Sequence, residues 1–126
     1  MLPCYTCIYT MRYEWDERKN LENQRKHDGI SFELATLAFQ DENRLVLLDR
    51  VDETGEQRWL VIGAVTGRPG KRAILVVAHV YRYWSGEEPS HGAPREDHDG
   101  EEIIRIISAR AAGKSDIGRY QEQAVD

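Results

Sequence analysis

Arg105 is the residue of this sequence that most needs a negatively charged partner. It interrupts the apolar run IIRII, and the two-residue period of a β-strand puts it on one face with Ile103 and Ile107. A buried guanidinium without a partner is very costly. Arg105 therefore either forms a salt bridge, for which Glu14 and Glu33 are candidates, or binds an anion such as a phosphate.

Two further arginines raise the same question. Arg110 lies in the segment predicted to open the last helix, where free backbone N–H groups attract anions. An arginine fits that end of a helix dipole poorly, so we expect another negatively charged partner to hold it there. Arg58 begins the RWLVIG segment. At a strand end it either projects into a concave surface or forms a salt bridge.

Histidines are the candidates for proton transfer, because their reference pKa of about 6.5 lies near neutrality. Lys26 and His27 close the first predicted helix, where they either act on a substrate or simply complement the helix dipole. His79 lies in the apolar segment AILVVAHVYRYW and is expected to be a core residue. His91 and His98 lie in an acidic segment without a rigid frame, so we expect no more than adventitious metal binding there.

Several familiar catalytic motifs are absent from the sequence. It contains no GxGxxG, Walker, GxSxG or HExxH motif, and its one CxxC pair lacks the second pair that a zinc site needs. The remaining groups imply no metal and no cofactor. Arginine, lysine, histidine, tyrosine and carboxylate groups suit acid/base cleavage of RNA, in which a 2′-hydroxyl attacks the adjacent phosphate. They equally suit a protein that only binds an anion.

Periodicity and capping residues predict the elements that position these side chains. Residues 11–15 alternate polar and apolar, which indicates a short strand. Residues 16–27 are strong helix formers with Asp16 as N-cap, but Leu21 is their one interior apolar residue, so this helix should be largely exposed. Ser31 is the N-cap of a second helix with four apolar residues at helical spacing. These are Phe32, Ala35, Ala38 and Phe39.

Four β-rich segments follow, over residues 44–48, 57–66, 72–84 and 103–107. Short turn-forming links separate the first three, which indicates an antiparallel meander. Ser108 is the predicted N-cap of a last helix over residues 109–123. The order β-α-α-β-β-β-β-α places the chain in the α+β class, as a single domain over residues 11–126.

The net charge of −5 is concentrated in one segment. Residues 85–102 contain seven acidic residues and one arginine, so the rest of the chain is almost neutral. We predict a mobile acidic loop at about residues 85–100. Residues 1–10 do not resemble a secretory signal and are predicted to be a flexible leader, with Met1 or Met11 as the start. No apolar run is long enough to span a membrane, so we expect a cytoplasmic protein.

Three segments together resemble one known family. YEWDERKNLENQRKHDGISFELATLAFQD, RWLVIG and IIRIISARAAGKSDIGRY are similar, in this order, to the BrnT toxins of bacterial type II toxin–antitoxin modules. The resemblance runs from about Tyr13 to Tyr120 and excludes the acidic loop. It implies a RelE-like fold, in which an N-terminal strand and two helices precede a mainly antiparallel four-stranded meander and a C-terminal helix.

The resemblance also implies a function and partners. These are ribonuclease activity that inhibits translation, and neutralisation by a BrnA-type antitoxin. Operator DNA would be contacted only through the antitoxin, and no membrane partner is implied.

Roles of individual residues follow from the same resemblance. Four residues are predicted to be catalytic: His27, Arg58, Arg105 and Arg110. Four are predicted to bind RNA: Lys26, Lys114, Arg119 and Tyr120. The catalytic arginines would contact the phosphate and the transition state, and the histidine would transfer a proton. No metal ligand is predicted.

Two departures from the family pattern weaken the attraction for RNA. The family's last helix is usually crowded with Arg and Lys, whereas here Lys114 and Arg119 stand among small and apolar residues, and Asp116 replaces a usual glutamate. The acidic loop is also longer than in the family. The alternative function is therefore a catalytically weakened BrnT-like protein, which acts as a non-enzymatic antitoxin-binding partner or co-repressor.

Overall fold

The fold is described by a computed structural model for residues 12–68, 71–84 and 101–125. The predicted leader with its two cysteines, the acidic loop, His91 and His98 lie outside these ranges. The described elements follow the predicted order. They are β1 (Arg12–Glu14), α1 (Glu17–Lys26), α2 (Phe32–Ala35) with a 3-10 helix (Thr36–Gln40), β2 (Leu45–Val51), β3 (Gln57–Arg68), β4 (Lys71–Trp84), β5 (Glu101–Ala111) and α3 (Lys114–Val125).

One mixed sheet contains all the described strands, in the order β1-β5-β4-β3-β2. Strands β2 to β5 are antiparallel neighbours, which confirms the predicted meander. β1 joins the edge of the sheet parallel to β5, so the sheet has five strands rather than four. None of the described helices combines the length and the apolar composition needed to cross a membrane.

The N-terminal ends of α1 and α2 are capped as predicted. Asp16 accepts a hydrogen bond from the Arg18 N–H at 2.9 Å, and Ser31 accepts one from the Leu34 N–H at 3.0 Å. The predicted apolar residues of α2 and the 3-10 helix are buried against one face of the sheet. At Gly63 the 3-10 helix lies so close that an added Cβ would be 2.4 Å from the Ala38 carbonyl oxygen.

The last helix begins later than predicted, at Lys114 rather than at residue 109. The ladder between β4 and β5 extends to Ala111, so Ser108 is a strand residue. Its prediction as an N-cap is therefore wrong. Asp116 instead caps α3 from the first turn, by accepting a hydrogen bond from the Gly113 N–H at 2.9 Å.

α1 is attached to the sheet by asparagines rather than by an apolar stripe. Leu21 is 52% exposed, which agrees with the predicted exposure of this helix, whereas Asn20 and Asn23 are buried. The Asn23 carboxamide donates to the Ala109 carbonyl at 2.8 Å and accepts from the Ala109 N–H at 3.2 Å. It thereby pairs the edge of β5 as a neighbouring strand would. Asn20 accepts from the Phe32 N–H at 2.8 Å and so joins α1 to α2.

We expect Asn23→Ala to destabilise the protein far more than Leu21→Ala does. Loss of the carboxamide leaves the Ala109 N–H and carbonyl buried without partners, at a cost of about 2–4 kcal/mol. Truncation of the half-exposed Leu21 should cost less than about 1 kcal/mol. Urea unfolding followed by circular dichroism compares the two variants. Equal losses of unfolding free energy would contradict the role given to Asn23.

Candidate functional site

The face of the sheet opposite α2 carries arginines from every described strand. The register of the strands places seven of them there: Arg12, Arg50, Arg58, Arg72, Arg82, Arg105 and Arg110. We call this surface the arginine face. α3 lies on it, where Tyr120 packs against Ile62 and Val76.

Two β-bulges turn arginines towards the arginine face. Arg105 and Arg110 are five residues apart, so a regular strand would point them to opposite sides of the sheet. The register of β5 with β4 skips Ile107, and this extra residue brings Arg110 back to the side of Arg105. In β2, the register with β3 skips Asp49. This extra residue brings Arg50 to the same side of the sheet as Arg58.

Arg105 and Arg110 each pair with a carboxylate. Arg105 Nη1 lies 3.0 Å from Glu14 Oε2, with both side chains 37% exposed, so Glu14 is the partner among the predicted candidates. Arg110 lies in β5 and not at a helix start as predicted, because the strand continues past the bulge. Its Nη1 lies 2.9 Å from Asp116 Oδ2, which supplies the expected negative partner. The Gly113 N–H and the Arg110 guanidinium hold the pKa of Asp116 below its usual value, against a smaller effect of burial.

Arg50 and Arg58 form a cation pair, directly opposite each other on neighbouring strands. Like charges in this arrangement are unfavourable. Within the described ranges, no carboxylate forms an ion pair with either arginine. Arg58 is half-buried and Arg50 is exposed, so an anion can reach both guanidinium groups from solvent.

Tyr120 attaches α3 to the arginine face through Asp41. The Tyr120 hydroxyl donates to Asp41 Oδ2, and the same oxygen accepts from the Ala64 N–H at 2.8 Å. Burial, the hydrogen bond to Asp41 and the charge of Asp41 raise the pKa of Tyr120, although Arg72 opposes them. The phenol is therefore a donor and not a base at neutral pH. Tyr120 is 8% exposed, and its predicted contact with RNA stays a prediction.

Lys26 and His27 lie in a separate cleft between α1 and β5, and His27 is the C-cap of α1. The cleft has a volume of about 150 Å³ and seven described lining residues: Lys19, Glu22, Asn23, Lys26, His27, Ile107 and Ser108. None of the arginine face's arginines is among them. Lys114 and Arg119 are exposed on α3. The predicted catalytic arginines thus share one face, whereas the predicted proton-transfer histidine lies in the cleft.

His79 is a fully buried core residue, as predicted. Its Nδ1 lies 3.1 Å from the Val77 carbonyl, and its Nε2 lies 3.2 Å from the Tyr81 hydroxyl. Because a carbonyl only accepts, the neutral ring carries its proton on Nδ1 and accepts at Nε2. Burial lowers the pKa of His79 to about 4.

Comparison with known families decides the class of protein. The chain matches the family described as ribonuclease toxin, BrnT, of type II toxin–antitoxin system, over residues 15–116. The chain belongs to the BrnT family. This confirms the resemblance seen in the sequence, and membership implies an RNA substrate and an antitoxin partner. No relative among curated proteins matches the chain.

Part of the arginine face of this BrnT protein was missed by the sequence analysis. Four of its members were not predicted as site residues: Arg12, Arg50, Arg72 and Arg82. Arg72 and Arg82 are an even number of residues apart in one regular strand, and this spacing was a usable signal. Arg50 joins the face only through a bulge, for which the sequence has no such signal.

We expect this BrnT protein to lose stability as the pH falls from about 6.5 to about 4. Between these values the unfolded chain protonates His79, whereas the folded protein keeps it neutral, since its folded pKa is about 4. His79 should therefore make the unfolding free energy about 2–3 kcal/mol lower at pH 4.5 than at pH 7. Urea unfolding at both pH values measures the difference. His79→Gln should flatten this dependence; an unchanged slope in His79→Gln would rule out His79 as its source.

Proposed function

We propose that this chain is a metal-independent endoribonuclease toxin that binds RNA on the arginine face. The observation that carries the proposal is the pair of bulges, which turn Arg50 and Arg110 to the side already occupied by Arg58 and Arg105. Guanidinium groups bind phosphate in bidentate geometry. The cation pair of Arg50 and Arg58 lacks a carboxylate among the described residues, and a bridging phosphate would neutralise it.

The proposed reaction is attack of the RNA 2′-hydroxyl on the adjacent phosphate. A base removes the proton of the 2′-hydroxyl, and an acid protonates the 5′-oxygen of the leaving nucleotide. Arginines supply positive charge where negative charge develops on the phosphate, which is the role that we assign to Arg58, Arg105 and Arg110. Lys26, Lys114, Arg119 and Tyr120 are proposed to bind RNA outside the reacting phosphate.

The proton-transfer group is proposed to be His27, as the sequence predicts. This role requires the bound RNA to cross β5 from the arginine face, because Ile107 and Ser108 of the cleft lie two and three residues beyond Arg105. Glu14 is a second candidate, because it lies on the arginine face against Arg105. An imidazole near neutral pH is suited both to removing the proton of the 2′-hydroxyl and to protonating the 5′-oxygen, since its reference pKa of about 6.5 lets it act as base or acid.

The proposed partner is a BrnA-type antitoxin, and the proposed consequence of RNA cleavage is inhibition of translation in the cytoplasm. Membership of a type II toxin–antitoxin family supports a protein antitoxin. Contact with operator DNA is proposed to occur only through that partner, as the resemblance of the sequence to the family implies. A RelE-like relationship is also proposed, supported by the α+β architecture with an antiparallel meander.

A second candidate function is a catalytically weakened BrnT protein that binds its antitoxin without cutting RNA. The salt bridges of Arg105 with Glu14 and of Arg110 with Asp116 favour it, because both carboxylates compete with phosphate for the guanidinium groups. Cleavage of RNA by the purified wild-type protein distinguishes the two functions.

We expect Arg58→Ala and Arg105→Ala each to slow RNA cleavage by about 10- to 100-fold, because each removes a cation that stabilises the transition state. Arg25→Ala, which removes one exposed arginine from α1, is the matched control and should keep full activity. A fluorogenic RNA assay measures the rates, and circular dichroism verifies the fold of each variant. Equal rates in all three variants would exclude the arginine face.

We expect His27→Ala to slow cleavage at neutral pH by at least about tenfold, and Glu14→Gln to leave the rate within a few-fold of wild type. The same RNA assay, repeated between pH 5 and 8, compares them. A larger loss of rate in Glu14→Gln than in His27→Ala would assign proton transfer to Glu14 on the arginine face rather than to His27 in the cleft.

A further inference from the structure

A second concave surface lies on the opposite side of the sheet from the arginine face. Its volume is about 370 Å³, and its described lining consists of Gly55, Glu56, Gln57, Trp59, Tyr81 and Glu102. We call it the aromatic groove. Strand alternation separates it from the arginine face, because Trp59 directly follows Arg58 and Tyr81 directly precedes Arg82.

The buried His79 holds the Tyr81 ring of the aromatic groove in place, and Trp59 packs against that ring. The centroids of Trp59 and Tyr81 are 6.2 Å apart with an interplanar angle of 64°. The Tyr81 hydroxyl donates to Nε2 of the buried, neutral His79 at 3.2 Å. The centroids of the Tyr81 and His79 rings are 5.0 Å apart, in an edge-to-face arrangement. The aromatic side chains are therefore ordered before a ligand binds, which lowers the entropic cost of binding.

An exposed apolar strip on β2 continues from the groove. Leu48 lies directly opposite Trp59 and is 48% exposed, while Val51 lies opposite Gln57 and is 52% exposed. Val46, on the same side of β2, is 39% exposed. Among the described strands, β2 pairs only with β3, and none of them lies along its other edge. An apolar strip at a sheet edge is typical of a surface that contacts another polypeptide.

The charge of the lining determines what the groove attracts. Glu56 and Glu102 line it, and its described lining contains no basic side chain. Burial and the charge of Glu102 raise the pKa of Tyr81, although Arg44 opposes them, so the phenol stays neutral. Two carboxylates repel the phosphates of RNA, whereas carboxylates beside aromatic faces suit a guanidinium or an ammonium group.

We propose that the aromatic groove binds an arginine or lysine side chain of a partner protein, whose neighbouring apolar residues lie on Leu48 and Val51. The cation stacks on Trp59 and Tyr81 and is neutralised by Glu102. The proposal is independent of the RNA site, because the two surfaces lie on opposite sides of the sheet.

Nuclear magnetic resonance of the ¹⁵N-labelled full chain tests this with two peptides. The probe is acetyl-Thr-Val-Arg-Val-Thr-amide, and its matched control carries citrulline, the uncharged analogue of arginine, in the central position. The arginine peptide should shift the Trp59 indole N–H resonance and leave that of Trp15 unchanged. The citrulline peptide should bind at least about fivefold more weakly.

Two charge-matched variants assign the effect to the groove. Glu102→Gln should lower the affinity for the arginine peptide by about fivefold. Glu122→Gln removes the same charge from α3, on the other side of the sheet, and should leave the affinity unchanged. Glu56→Gln serves in place of Glu102→Gln if the latter does not give a folded spectrum.

Three results would overturn the proposal. The first is equal affinity for the arginine and citrulline peptides, and the second is the absence of any shift at Trp59. The third is displacement of the arginine peptide by a single-stranded hexaribonucleotide that binds more tightly to Glu102→Gln than to wild type. That third result would assign the aromatic groove to RNA rather than to a protein.

Discussion

The two hydrogen bonds between Asn23 and Ala109 hold the part of the sheet on which the candidate site depends. β1 pairs with β5 only as far as Arg105, and the bulge at Ile107 follows at once. Beyond that point the backbone of β5 is paired on the β4 side, and the Asn23 carboxamide satisfies it on the other side. Because both sides of the strand are thus held, Arg110 has a fixed place on the arginine face.

The Asp41 carboxylate also hydrogen-bonds the backbone of a strand, in β3 near the opposite edge of the sheet. The β2–β3 ladder begins at the pair of Leu45 and Ile62, and Asp41 accepts the N–H of Ala64 just beyond it. The same carboxylate accepts from Tyr120 and so attaches α3. Hydrogen bonding of a strand's backbone by a side chain lets a helix dock without a wide apolar stripe. This explains how the polar helix α1 can belong to a stable fold.

The alternation of side chains gives the sheet two different surfaces. Neighbouring residues such as Arg58 and Trp59 point to opposite sides, as do Tyr81 and Arg82. One side collects arginines and suits the phosphates of RNA. The other carries aromatic rings with carboxylates and suits a cation. The net charge of the whole chain describes neither surface, because it sums over both of them and over the acidic segment.

The sequence by itself determined the features that depend on nearby residues. The caps Asp16 and Ser31, the element order and the burial of His79 were predicted correctly, because capping, hydrophobic period and apolar surroundings are encoded within a few positions. Family membership was also recognised, from segments spread along most of the chain.

Only the tertiary structure decided which residues meet across long distances. The bonds of Asn23 span 86 positions, and the parallel pairing of β1 with β5 spans a similar separation. The bulge at Ile107, which moves Arg110 from a predicted helix start to the arginine face, is defined by the register with β4. Every backbone N–H and carbonyl needs a hydrogen-bond partner, but tertiary packing determines which partner lies close enough. The residues near a backbone group in sequence therefore do not identify its partner.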